Sequence, residues 1–393
     1  MSQRSKNIVI LLLTSLFFIF ACNVNNRKKA EKIIEDFEQA FVPDKRETVF
    51  EIEAVFKNGQ IAVTGETDSQ ELKNNLLQKL HSLEILDKIV VLPDSTVGNK
   101  IFGLVNNSVA NLRTDPRYSS ELSTQALLGT PVKILKKKGS WSLVQTPDKY
   151  ISWAPPGAVF PISESSLKKW RDTERVILKT SFTEIFETEK MEIPIADASM
   201  GGIVELLEEK WNTLKVKLPD GREGYTTPDN WISFSDFLTT AHPNSASIVS
   251  LSQKLTGRPY LWGGTSALAM DCSGFTKTVY FMHGIILARD ASLQARHGQM
   301  AEPGNSFEKL APGDLLFFGR KATDNQPERI THVAISLGET EFIHASAHVR
   351  KNSFNPPSSL FSEYRKNTFI RARRVIGSEG ENGIRWIKEH PWY

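Results

Sequence analysis

The chain has two cysteines, Cys22 and Cys272, and eight histidines, and three of these side chains stand where they can do chemistry together. Cys272 lies in Met270-Asp271-Cys272-Ser273-Gly274-Phe275, the opening of a helical run that continues to His283. Asp271 is the expected N-cap, which puts Cys272 in the first helical turn. There the positive end of the helix and its unpaired backbone N–H groups favour the thiolate, the nucleophilic form of cysteine. A thiolate still needs a base and a group that orients the base. Downstream, Arg329 to Gly338 and Glu341 to Ala345 read as two strands joined by a short turn, carrying His332 and His344. Antiparallel pairing sets these two imidazoles side by side, and packing against the Cys272 helix completes a nucleophile, base and orienter. His81, His242, His283, His297, His348 and His390 lack that setting and are expected to be solvated or structural. One cysteine and two histidines are also possible zinc ligands, but no CxxC or HxxxH spacing accompanies them, so neither a metal nor another cofactor is expected.

The elements around these residues are a helix from Ser245 to Leu255, a glycine-rich loop from Gly257 to Gly264, and the strand pair. Tyr260-x-Trp262-Gly263-Gly264, Asp271-Cys272-Ser273-Gly274-Phe275, Pro312-Gly313-Asp314-Leu315-Leu316-Phe317-Phe318, Thr331-His332-Val333-Ala334-Ile335 and Phe342-Ile343-His344-Ala345 follow in that order. In order and spacing they resemble the NlpC-type (NlpC and p-sixty) cell-wall cysteine peptidases, over Ala246 to about Val375. The resemblance implies a papain-like α+β domain at 243–378, followed by a tail at 379–393. It implies that Cys272 attacks the scissile carbonyl, that His332 takes and returns the proton, and that His344 orients His332. Tyr260 and Trp262 are expected at the oxyanion or substrate site. Asp271 and Ser273 face a free L-alanyl amine in similar enzymes; for Asp271, helix capping alone is an equal alternative. Acyltransferases of the same superfamily place the histidine before the cysteine, the reverse of the order here.

Between Leu104 and Phe237 short β-rich runs are punctuated by Gly, Pro and Asp, and a weak internal repeat is visible. Gly129 recurs as Gly201 and Pro147-Asp148 as Pro219-Asp220, each 72 positions on, while Trp141 recurs as Trp211, 70 positions on. Two small β-barrels are expected, at 99–165 and 170–240, with both tryptophans in their cores and ligand platforms as the alternative reading of the pair. The run from Ala110 to Pro116 and the one from Glu121 to Gly129 resemble bacterial SH3 domains. Peptidases of the family built this way are typically γ-D-glutamyl-L-diamino acid endopeptidases acting on peptidoglycan stem peptides or muropeptides. Their first SH3 domain narrows the cleft to stems with a free N-terminal L-Ala. Tyr118 is placed either as a wall of that pocket or as an exposed loop aromatic.

Ahead of the barrels, helical spacing from Lys29 to Phe41, strands at Thr48–Phe56 and Gln60–Thr64 flanking Asn58-Gly59, a helix from Ser69 to Leu83 and a strand from Asp87 to Leu92 make a small α+β module within 22–98. Its order is similar to the BON domain. Residues 1–21 start with Arg4 and Lys6 and continue as an apolar run from Ile8 to Ala21, too short for a comfortable membrane span and suited to export. Ala21-Cys22 resembles the lipobox of bacterial lipoproteins, which implies lipidation of Cys22 and attachment to a bacterial membrane on its periplasmic or cell-surface side. Lys plus Arg number 48 against 45 Asp plus Glu, and a net charge of +3 gives no case for nucleic acid. The expected whole is an α+β multidomain chain: two SH3-like barrels and a small α+β module ahead of a peptidase. The competing expectation is an inactive or zinc-binding lipoprotein that only binds wall peptides.

Overall fold

The computed structural model describes residues 25–42, 44–57 and 60–393, so the apolar run, Cys22 and the Asn58-Gly59 turn lie outside the described residues. Two compact units divide at Gly98. In the first, strands Phe50–Lys57 and Gln60–Thr67 pair antiparallel, and Ile85–Val91 returns parallel to Gln60–Thr67. The parallel return requires a crossover, supplied by helix Gln70–Lys79, whose N-cap Ser69 accepts from the Leu72 N–H. This helix and the helix over residues 25–41 bury Leu76, Ile34 and Phe37 against Phe50, Ile61 and Val63.

The second unit, Asn99–Tyr393, begins with two seven-stranded sheets built from residues 102–162 and 175–233. When the strands of each are counted from its own first, their sheet orders are identical. The register matches too: Lys133 pairs Gln145 and Glu205 pairs Lys217, and a bulge follows at the same place in both. This 72-residue offset puts Thr213, 4% exposed, where the first sheet has the buried Trp141. Trp211 stands in the hairpin turn and is fully exposed, so its assignment to a barrel core is corrected. Its offset of 70 was already two positions out of step. The Ile203 N–H bonds the Leu128 carbonyl, joining one sheet to the other.

The third large sheet is antiparallel and six-stranded, in the order Gln299–Ala301, Phe369–Arg374, Leu315–Arg320, Arg329–Gly338, Glu341–Ser346, His348–Ser353. Leu315, Phe317, Val333, Ile335 and Ile343 pack with Phe275, Val279 and Tyr280 of helix Cys272–Phe281. The alternate residues Leu316, Phe318, Ala334 and Phe342 build a second, phenylalanine-rich core, as period-two alternation on a sheet covered on both faces requires. The chain is thus α+β, with the papain-like arrangement of a cysteine helix on an antiparallel sheet. The expected tail is integral: Ile384–Trp386 pairs with Ile285–Leu287, and Ile387 and Tyr393 are buried. Ile387 and Tyr393 belong to the core shared with Phe234 and Ile286, and Ile384 joins the core of the cysteine helix.

Candidate active site

Cys272 is the first residue of its helix and 6% exposed. Asp271 caps the helix, its Oδ1 accepting from the Gly274 N–H at 2.7 Å. A Cβ on Gly274 would stand 2.0 Å from the Gly264 carbonyl oxygen, so the glycines of the two motifs let backbone press on backbone beside the cysteine. The Val333 and Ser273 N–H groups lie close enough to the Cys272 sulfur to favour its ionised form, which sets it against the strand segment next to His332.

His332 Nε2 and His344 Nδ1 are 2.7 Å apart, and His344 Nε2 is 2.9 Å from Asn352 Oδ1. The Asn352 amide donates its Nδ2–H to the Leu360 carbonyl at 3.0 Å, which turns Oδ1 toward the imidazole. An amide oxygen only accepts, so His344 Nε2 carries the hydrogen and its Nδ1 is bare. That bare nitrogen accepts from His332 Nε2–H, leaving His332 Nδ1 as a lone-pair base. Asn352 was not singled out in the sequence; it lies one strand beyond His344, and no motif marks it.

Burial opposes the helix end in setting the charge of the thiol. Burial pushes the Cys272 thiol up to about 12, with the adjoining Asp271 carboxylate adding to the rise, and the Val333 N–H, Arg289 and the Ser273 N–H only partly offset it. His332 is held well below the usual imidazole range by burial, by Arg365 and by His344. His344 is lowered to about 3 by burial and by Arg365. The helix end contributes of order 1 kcal/mol, less than desolvation plus a neighbouring carboxylate. Burial thus acts on both groups in favour of their neutral forms.

Asp271 is occupied on both oxygens. Oδ1 accepts from Gly274 N, Ser273 Oγ and Arg289 Nη1, and Oδ2 accepts from Gly263 N and Arg289 Nη2. Of its two readings the geometry carries the cap, joined by an ion pair to Arg289. Ser273 Oγ also accepts from Arg289 Nη1 at 3.0 Å and is buried. Arg289 Nε donates to Thr124 Oγ1 of the first barrel at 2.7 Å, so this arginine links barrel, cap and cysteine helix. A charged Arg289-Asp290 after the apolar Ile285-Ile286-Leu287-Ala288 is the sequence signal that was passed over.

The first barrel forms one wall of the site. Trp262, 62% exposed, donates Nε1–H to Glu121 at 2.6 Å, Thr265 bonds Gln125, and the Tyr150 hydroxyl donates to Asp290 Oδ2 at 3.2 Å. A Cβ on Gly263, at φ +76°, would lie 2.3 Å from the Leu122 carbonyl oxygen. Tyr118 is exposed and its ring packs edge-on against Trp141 of its own barrel; among the described residues it makes none of these bonds. Tyr260 lies beside Cys272, its phenol held protonated by burial and by the neighbouring Asp271 carboxylate. Among the described residues no group of three or more His, Cys, Asp or Glu is placed to hold a metal ion.

Residues 257–374 match the NlpC/P60 family, and residues 112–159 match the family described as bacterial dipeptidyl-peptidase Sh3 domain. A γ-D-glutamyl-L-lysine dipeptidyl-peptidase of Bacillus cereus is 31% identical over 235 residues, 58% of this chain and 68% of that protein. Dipeptidyl-peptidase 6 of Lysinibacillus sphaericus is 25% identical over 266 residues, 65% of this chain and 92% of that protein. The crystal structure of an NlpC/P60 family protein from Bacillus cereus superposes with a TM-score of 0.58 at 25% identity, covering 70% of this chain and 99% of that one.

Proposed function

Because the chain belongs to the NlpC/P60 family and is a cysteine peptidase, we propose that it hydrolyses the γ-D-glutamyl bond to the diamino acid in peptidoglycan stem peptides with a free N-terminal L-Ala. The observation that carries the mechanism is the directed relay from Asn352 through His344 to His332, which leaves a bare His332 Nδ1 for the Cys272 thiol. With burial favouring both neutral forms, proton transfer accompanies attack. As sulfur bonds to the γ-carbonyl carbon, His332 takes the thiol proton. As the C–N bond breaks, His332 returns it to the departing amine. Water then attacks the thioester, giving its proton to His332, which hands it back to the sulfur. The Cys272 backbone N–H and the Tyr260 phenol are the donors for the oxyanion.

The amine preference rests on charge at the barrel seam. Glu121, Asp271 and Asp290 gather there around the guanidinium of Arg289. With Asp271 occupied, Glu121 and Asp290 receive the alanyl ammonium, and Trp262 and Tyr150 hold those carboxylates. The names of the relatives, which specify γ-D-glutamyl-L-lysine and dipeptidyl products, support this reading. Stems still amide-linked to muramic acid lack the charge, so released fragments are the substrates, as in wall recycling. N-acetylation of L-Ala-γ-D-Glu-L-Lys is expected to lower kcat/KM about a hundredfold or more, roughly 2.7 kcal/mol of lost charge pairing. Equal rates on the free and acetylated peptides in a chromatographic assay would remove the amine from the account.

We also propose that Cys22 is lipidated and holds the protein at the periplasmic or cell-surface side of a bacterial membrane, on the support of the basic start, the apolar run and Ala21. Fatty-acid label incorporated by the chain, and lost in Cys22→Ser, is the expected result; label retained in that variant would contradict it.

A further inference from the structure

Beyond the barrel seam, Arg365 stands on the short helix Glu363–Thr368, which follows the edge strand His348–Ser353 in the chain. Its guanidinium carbon lies 5.4 Å from the centre of the Phe318 ring and 5.3 Å from that of Tyr364. Phe318 in turn packs 5.8 Å from the ring of His332, so the guanidinium shares an aromatic floor with the catalytic base. Among the described residues its one protein acceptor is Ser346 Oγ, at 3.5 Å, two residues beyond His344. None of the ion pairs of the described residues engages it. A guanidinium carries five N–H donors and matches a carboxylate bidentately. A half-buried arginine beside a reacting centre, with one long hydrogen bond and no carboxylate, is a costly arrangement unless a ligand completes it. Its charge reaches Cys272 and Tyr260, and it is the largest charge acting on both histidines.

The side of the cleft decides what that ligand is. His332 must stand beside the departing amine to protonate it, so the histidine side receives the leaving residue. The acidic seam of Glu121 and Asp290 lies on the side of the acyl group. We propose that Arg365 is a specificity-determining residue that binds a carboxylate on the leaving diamino acid. That carboxylate has two sources of one chemistry: the α-carboxylate of a diamino residue that ends the peptide, or the side-chain carboxylate of a diaminopimelate. The cleft is then polarised to match its substrate, anionic where the ammonium sits and cationic where the leaving residue sits.

The proposal rests on the stem-peptide reading, and the test separates the two. Full-length protein and Arg365→Gln are assayed on two pairs of peptides. One pair is L-Ala-γ-D-Glu-L-Lys and its C-terminal amide. The other is L-Ala-γ-D-Glu-diaminopimelate C-terminal amide with the side-chain carboxyl free or amidated. The expected result is that Arg365→Gln lowers kcat/KM ten- to a hundredfold for the carboxylate member of at least one pair, and less than about threefold for its amide. The affected pair identifies the source, and the retained rate on the amide shows that the variant folds. A loss shared equally by both members of both pairs would overturn the proposal, because the D-glutamyl carboxylate and a charge effect on the thiol act on all four alike. Native protein that discriminates within neither pair would overturn it as well. Native protein that cleaves none of the four peptides would overturn the stem-peptide reading itself.

Discussion

Cys272→Ala is expected to lower kcat/KM for the stem tripeptide by about 10⁴-fold or more while leaving the fold in place. Removing a nucleophile leaves only the residual acceleration that binding and oxyanion donors supply, and losses of this size follow when the attacking atom of a three-residue relay is deleted. The change is small for the fold. Cys272 is buried in an apolar cluster with Met270, Phe275 and Val333, so the variant gives up one sulfur and its proximity to two backbone N–H groups. The helix keeps its Asp271 cap, and that cap stays tied to Arg289. A melting temperature within a few degrees of the native protein, with activity at background in a steady-state assay, is the expected pair of results. Cys272→Ser makes the same point, since a hydroxyl fits the space but ionises far less readily than a thiol, and its activity is also expected to be lost.

The second large effect is in how the thiol titrates. In the Cys22→Ser chain, where Cys272 is the remaining cysteine, alkylation by iodoacetamide is expected to be slow at neutral pH. It should rise about tenfold per pH unit from roughly 7 to 10, because the thiolate is the reactive form and its fraction grows until the pH nears the raised value. That value is about 12, set by burial and then by Asp271. A rate already level between about pH 5 and 8 would mean a resting thiolate, and would replace concerted proton transfer by a preformed ion pair. The sign for stability follows. A thiol whose folded value exceeds its unfolded value near 8.5 adds stability below that pH, and the contribution fades as the pH climbs toward about 12. The two histidines act in the opposite sense: lowered when folded, they are neutral at no cost above about 6.5, and their contribution is lost as acid protonates the unfolded chain first.

Much of the site could be read from the sequence because its groups sit on short, regular elements. Asp271 before an apolar run marks a capped helix, and the alternation around Val333 and Ile343 marks the paired strands. What the sequence hid was mostly long-range. Arg289 acquires its meaning from Thr124, 165 positions away, and Glu121 from Trp262, 141 positions away. Asn352 owes its role to the amide orientation fixed by Leu360, which no spacing encodes. The upward pull of burial on the thiol was hidden because a helix end is local and legible, whereas burial is a property of the assembled domain. Trp211 was misplaced because residue type was given more weight than register, and the same comparison carried over the whole β-rich stretch pointed instead to Thr213.

The most direct measurement of the central claim is the identity of the products formed from L-Ala-γ-D-Glu-L-Lys by the native protein and by Cys272→Ala, resolved by mass spectrometry. The account predicts L-Ala-D-Glu and free L-lysine from the native protein and neither from the variant. Free L-alanine, or the same two products in equal amount from the variant, would contradict it.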